Sequence, residues 1–175
     1  MEFFDLVKKR RSIRKYKPRL VSDRDIEYIL NAARLAPSSK NRQCWKYVVV
    51  KDKKIIEKIA SSRPESKEWL VEAPVMIVAC ADPNESSRRE GKDYYLFDVA
   101  LSFEHLLLAA KERDLATCCI AGFDEKTVKD AIELPENIRV VVFTPLGYAA
   151  EEKGEITDRK PLEEIIFYEK YGQKK

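Results

Sequence analysis

The sequence predicts one mixed domain of the α/β or α+β class, a sheet covered by helices. Three observations carry that prediction. Amphipathic helical stretches alternate with short apolar runs along the chain. One of those runs, Val75-Met76-Ile77-Val78-Ala79-Cys80, has no polar position, as a strand buried on both faces requires. Finally, 175 residues with 45% hydrophobic and 36% charged content can build one core and a charged surface. No repeat, low-complexity tract or linker divides the chain, so residues 1–175 read as a single domain.

Each element has a local reason. Residues 2–9 suit a short helix with Phe3, Phe4, Leu6 and Val7 on its apolar side. A second helix starts at Ser22, an N-cap residue followed by Asp23 and Asp25 at the positive end of the helix dipole. Ile26, Ile29, Leu30 and Ala33 recur at helical spacing, and Pro37 stops the run. Tyr47–Val50 is a β-branched strand signal, and 53–62 a helix carrying Ile55, Ile56 and Ile59. Residues 92–113 form the longest predicted helix. Between Leu96 and Ala110 it is interrupted mainly by Asp98, Glu104 and His105, which places it at the centre of the molecule or in a subunit interface. A strand over 117–121, a helix over 125–133 and a buried strand over 140–144 follow. The tail from Pro161 carries Leu162, Ile165, Ile166, Phe167 and Tyr168, an apolar set that needs a partner surface.

Composition excludes several classes of function. With 33 Lys+Arg against 30 Asp+Glu the net charge is +3, so bulk electrostatics do not call for nucleic acid or an anionic membrane. Met1-Glu2-Phe3-Phe4 runs directly into Lys8-Lys9-Arg10-Arg11 without the apolar region of a secretion signal, which points to the cytoplasm. Cys44, Cys80, Cys118 and Cys119 fall in no metal-ligand spacing and read as buried small apolar residues. The one histidine, His105, sits in the apolar helix as a satisfied core residue, so no nucleophile–base pair can be assembled. Five glycines form neither a G-x-G-x-x-G fingerprint nor a P-loop.

Three segments nevertheless carry chemistry. The basic run Lys8–Lys15, extended by Lys17 and Arg19, is a solvated face, a complement to a helix C-terminus, a phosphate site or a nucleic-acid site. Ala36-Pro37-Ser38-Ser39-Lys40-Asn41-Arg42-Gln43-Cys44-Trp45 either presents donors and acceptors to a planar ligand or is a capping turn anchored by Trp45. Asp158-Arg159-Lys160 adds a second cationic pair, which matters only if the fold brings it to the first. A chain offering polar cofactor contacts and no catalytic side chains leaves the reaction to the cofactor.

These residues resemble a known family. Arg10-Arg11-Ser12-Ile13-Arg14, Ala36-Pro37-Ser38-Ser39-x-Asn41-x-Gln43-x-Trp45, Asp98-Val99-Ala100, Leu115–Phe123, Leu146-Gly147-Tyr148 and Arg159-Lys160-Pro161-Leu162-Glu163-Glu164 resemble, in order and spacing, the FMN-dependent nitroreductases. The resemblance implies an α+β fold, a central mostly antiparallel sheet flanked by helices, in an intertwined homodimer with FMN sites at the subunit interface. It implies that Arg10, Ser12 and Arg14 hold the phosphate and ribityl chain, with Arg11 nearby and Arg159 and Lys160 returning to the phosphate. Pro37, Ser38, Ser39 and Asn41, with Gln43 in the same loop, would approach the isoalloxazine from the partner. Ala121 and Gly122 would turn backbone N–H groups toward flavin N5 and O4. NAD(P)H and a small-molecule acceptor such as a nitroaromatic, a quinone or free flavin would then be the substrates, with the tail from about 161 to 175 wrapping the other subunit. Reductive dehalogenation, metabolite oxidation and non-catalytic FMN binding are the alternatives.

The chain departs from that pattern at three places. Gln43-Cys44-Trp45 stands where Gln-Pro-Trp is usual, which predicts a looser loop and a thiol near the site. Ser66 and Trp69 fall near the positions of an expected Asn and Lys before Ala73-Pro74. Thr157 occupies the place of a frequent Lys.

Overall fold

The computed structural model describes residues 2–175. Its main sheet has four strands, β1 (Trp45–Val50), β2 (Val75–Ala81), β5 (Ala116–Thr117) and β6 (Arg139–Gly147), in the order β1-β2-β6-β5. Every neighbouring pair is antiparallel. The fold is therefore α+β. Helices α1 (Phe3–Lys9), α2 (Asp23–Arg34), α3 (Lys53–Ser61), α4 (Lys67–Leu70), α5 (Tyr94–Glu112), α6 (Glu125–Ala131) and α7 (Leu162–Ile165) complete it, with a small hairpin of β3 (Arg88–Arg89) and β4 (Lys92–Asp93).

β2 explains the two-layer core. Its alternate residues Val75, Ile77 and Ala79 pack with Ile29 and Ala33 of α2 and Val99, Phe103 and Leu106 of α5. The intervening Met76, Val78 and Cys80 face the opposite way, onto Ile56 and Ile59 of α3 and Val128 of α6. A strand with helices on both sides has no polar position to spare, which is why all of β2 is buried. The cap expected at Ser22 is present, its Oγ accepting from Asp25 N at 3.1 Å; α3 has one as well, Asp52 Oδ1 accepting from Lys54 N at 2.8 Å.

Three expectations are corrected. The strand predicted over 117–121 shrinks to Ala116–Thr117, because Cys118 N–H turns from the ladder to Thr144 Oγ1 at 3.0 Å. The chain rejoins β6 only at Ile120, which exchanges hydrogen bonds with Phe143. The long helix begins at Tyr94 instead of residue 92, since Lys92 and Asp93 pair with Arg88 and Arg89. That hairpin turns at Glu90 (φ 52°) and Gly91 (φ 76°), both left-handed as a two-residue hairpin loop requires. Cys119 is exposed, unlike the other three cysteines.

α1 buries none of its residues: Phe3 and Phe4 are 63% and 75% exposed. Leu96 and Phe97 at the start of α5 and Leu162, Ile165 and Tyr171 of the tail are exposed as well. Among the described residues no helix is long and apolar enough to cross a membrane.

Candidate functional site

The basic run is extended, and its neighbours hold it so. Ile13 N–H donates to Thr117 O at 2.9 Å, Lys17 N–H to Tyr148 O at 2.8 Å, and Ala150 N–H to Lys15 O at 2.9 Å. The segment thus threads between β5 and the chain leaving β6. Ile13 and Tyr16 point inward and are buried, which turns Ser12 and Arg14 outward. Gly147 is required here: a Cβ on it would stand 2.8 Å from Pro74 Cδ and 3.0 Å from a Tyr16 ring carbon.

Arg10, Arg11, Ser12, Arg14, Lys153, Ile156, Asp158 and Arg159 line one cavity of about 220 Å³. The fold therefore brings the first basic run and the C-terminal arginine together; Lys160, next in the chain, is not in the lining. Arg10 is paired with Glu104 of α5 at 3.5 Å, and Arg11 Nη1 donates to Gly154 O. Arg14 stands 5.9 Å from the Trp69 ring centroid. Lys153 and Glu151, which carried no signal in an acidic stretch of sequence, shape this cavity. Lys153 Nζ donates to Ser12 O at 2.8 Å, and Glu151 accepts Arg14 N–H at 2.6 Å while pairing with Lys153 at 3.2 Å. The Arg14 N–H, ahead of Lys153, holds the Glu151 carboxyl below its ordinary range.

Ala121 and Gly122 form an exposed turn beyond the Ile120–Phe143 pairing. Among the described residues neither N–H has an acceptor within the chain. Close by, Arg63 donates to Gly122 O at 2.6 Å and to Ser66 Oγ at 2.9 Å. Burial raises the Cys118 pKa, and Arg14, Ser12, Lys153 and Arg63 oppose that rise, so these groups surround one thiol.

The Pro37–Gln43 loop lies elsewhere. Ser39 N–H donates to Asp98 Oδ1 at 2.8 Å and its hydroxyl to Ser87 Oγ at 2.7 Å. Gln43 N–H donates to Ser38 Oγ at 3.0 Å. Lys40, Asn41 and Gln43 all have left-handed φ (51°, 56° and 52°), a strained path for non-glycine residues. Asp98, 1% exposed, anchors it: Oδ2 also accepts from Ser86 Oγ at 2.7 Å and faces Cys44 Sγ at 3.7 Å. Cys44 is therefore not a thiol open to the site. Burial, and after it the Asp98 charge, pushes it up to about 11. Nor is the loop loose, since hydrogen bonds pin both of its ends. Trp45 is a core residue, and His105 is satisfied by Ala32 O at 3.3 Å.

α5 separates the two halves. The loop is tied to Asp98, whereas Lys111 and Asp114, at the far end of the helix, line a second cavity shared with Arg10, Arg11 and Lys153. At 1.5 Å rise per residue, Asp98 stands roughly 9 Å along the axis from Glu104, the partner of Arg10, and roughly 20 Å from Lys111.

Comparison with known proteins identifies the family. The family model described as "Nitroreductase family" matches residues 7–148, from α1 through the Ala121–Gly122 turn to Tyr148, but not Lys153 or Arg159. A protein of Archaeoglobus fulgidus with the provisional name NADH dehydrogenase/NAD(P)H nitroreductase is 35% identical over 87% of this chain and 88% of its own. An iodotyrosine deiodinase of Thermotoga neapolitana is 27% identical over 93% of this chain and 95% of its own. The solved structure of an FMN-dependent nitroreductase from Clostridium difficile superposes with a TM-score of 0.86 at 28% identity, covering 97% of this chain and 100% of that one. With the fold, the extended Arg-Arg-Ser-Ile-Arg segment and the family match in agreement, the chain belongs to the nitroreductase family and is an oxidoreductase.

Proposed function

We propose that the protein is an FMN-dependent NAD(P)H oxidoreductase that works as a homodimer, with nitroaromatics, quinones or free flavin as acceptors. The observation that carries the reading is the convergence of Arg10, Arg11, Ser12, Arg14 and Arg159 on one cavity, joined there by Lys153. Guanidinium forks, a hydroxyl and an ammonium around a small polar cavity suit a phosphate monoester, and they do so without a glycine nest. The chain's residues thus fit FMN at its phosphate end. Ala121 and Gly122 offer the free N–H donors that a flavin's polar edge accepts. When bound, FMN supplies hydride transfer between NAD(P)H and the acceptor.

The protein's own part is to bind and orient. Arg14 and Arg159 neutralise phosphate charge, while Lys153 and Glu151 hold the Ser12–Arg14 backbone in place. Pro37, Ser38, Ser39, Asn41 and Gln43 complete the site from a second copy, because α5 keeps this loop away from its own cavity. The exposed Phe3, Phe4, Leu96, Phe97, Leu162 and Ile165 supply the apolar surface such a dimer would bury. One pocket serving donor and acceptor in turn gives ping-pong kinetics. Cys44, Cys80, Cys118 and Cys119 are all free, which suits a reducing cytoplasm.

Titration with FMN tests this reading. Saturable binding of one FMN per chain, weakened by inorganic phosphate, is expected; no binding under any condition contradicts it. The Thermotoga relative favours a second reading, reductive dehalogenation of a halogenated phenol. Halide release from iodotyrosine at a rate exceeding nitroaromatic reduction would decide for it.

A further inference from the structure

Resting on the FMN reading, we propose that Arg63 is a positioning residue: it clamps the Gly122 carbonyl and so aims the Gly122 amide at flavin N5. Arg63 stands between α3 and the turn Pro64–Ser66, far from Gly122 in sequence, yet its Nη1 donates to Gly122 O at 2.6 Å. The rest of the guanidinium is fixed too, by Ser66 Oγ at 2.9 Å and Glu65 Oε1 at 3.1 Å from Nε. Asp124 N–H donating to Ser62 O at 2.9 Å ties the same two segments a second time.

The clamp acts where the backbone is least restrained. Ile120 is held by its two hydrogen bonds to Phe143, and Phe123 packs on the Phe143 ring at 5.1 Å between centroids. Between them Gly122 has no Cβ to limit its torsions. The peptide that carries Gly122 O is planar, so fixing the oxygen fixes that plane and limits the rotation of Gly122 itself. The Ala121 N–H shares its peptide with Ile120 O and is already set by Phe143, so it is the Gly122 N–H, with no acceptor among the described residues, that the clamp keeps in one direction. The fit is close: a Cβ on Gly122 would stand 3.1 Å from Arg63 Nη1.

A pair of flavins reads this out. 5-Deaza-FMN carries C–H in place of N5 and cannot accept a hydrogen bond there, while its phosphate is that of FMN. The wild-type chain should bind FMN about tenfold more tightly than 5-deaza-FMN, one hydrogen bond's worth of discrimination. In Arg63→Met that preference should fall at least fivefold, and in Arg63→Lys much of it should return. Amide hydrogen exchange of the flavin-free Arg63→Met chain should leave β2 and α5 protected, so that the change in preference is not a loss of fold. If Arg63→Met weakens both flavins equally, Arg63 is merely structural and the inference fails. If the wild-type chain shows no preference, no amide faces N5 and the inference fails while FMN binding stands. If it binds neither flavin, the FMN reading falls as well.

Discussion

Ser39 N–H donates to Asp98 Oδ1 at 2.8 Å, joining the strained Pro37–Gln43 loop to a carboxylate that is 1% exposed. A buried carboxylate without a cation needs donors, and Asp98 has them from Ser39, Ser86 and Cys44. The loop that the proposed dimer hands to the neighbouring site is therefore set by the first turns of its own α5.

Removing that anchor should loosen the loop. Asp98→Ala leaves the Ser39 N–H and Ser86 hydroxyl without their acceptor inside the protein, which costs about 1–3 kcal/mol for each group that water does not reach. A lowered urea midpoint, together with weaker FMN binding, is the expected result. Unchanged stability and binding would remove Asp98 from this role.

At the phosphate end, Arg159→Ala deletes a charge-assisted contact of about 1.5–3 kcal/mol, a loss of roughly ten- to a hundredfold in FMN affinity. Because the contact is ionic, the difference between wild type and variant should shrink as salt rises. Fluorescence titration at two ionic strengths measures both effects.

Glu151 gives the site an acid limit. Its folded pKa lies below the ordinary 4.5, chiefly through the Arg14 N–H and then through Lys153. Its contribution is thus fully present above the unfolded value and is lost as pH falls through the folded one. FMN retention should fall below pH 4.5 in the wild type, and Glu151→Gln should retain less FMN at neutral pH with a flatter acid limb. Parallel acid limbs would mean that another group sets the limit.

Truncation after Pro161 removes Leu162, Ile165 and Tyr171, which are 65%, 60% and 93% exposed in the isolated chain. Sedimentation should show the full chain as a dimer and the truncated one shifted toward monomer with weakened flavin binding. A stable dimer lacking the tail would show that the tail is not part of the interface.

Alkylation at neutral pH should modify Cys119 first, as it is the exposed cysteine, and spare Cys44, which burial and Asp98 push up to about 11. Peptide mapping after brief iodoacetamide treatment checks the order. Labelling of Cys44 ahead of Cys119 would mean that the Asp98 anchor opens readily.

Much of the fold was legible because its signals are local. Ser22 caps α2 through its own third residue, and the unbroken apolar run of β2 requires helices on both sides. The resemblance led to the arginines of the first run and to Arg159, and the fold sets them around one cavity. What escaped depends on distant partners. Asp98 reads as an interruption in an apolar helix until the 38–44 loop is folded over it. Lys153 and Glu151 look like solvated charge, since their partners Ser12 and Arg14 lie at the other end of the chain. Arg63 reads as surface charge before Pro64 until Gly122 is brought to it. The β3–β4 hairpin was missed because Glu90-Gly91 is a weaker turn signal than Asn-Gly and its strands are only two residues each.

The most direct test of the central claim is an absorption spectrum of the protein loaded with FMN, recorded without oxygen before and after NADH or NADPH is added. Flavin bands that bleach on addition and return when a nitroaromatic or quinone is supplied are the predicted result. Bands that persist in the presence of either nucleotide would contradict it and leave an FMN-binding protein that is not an NAD(P)H oxidoreductase.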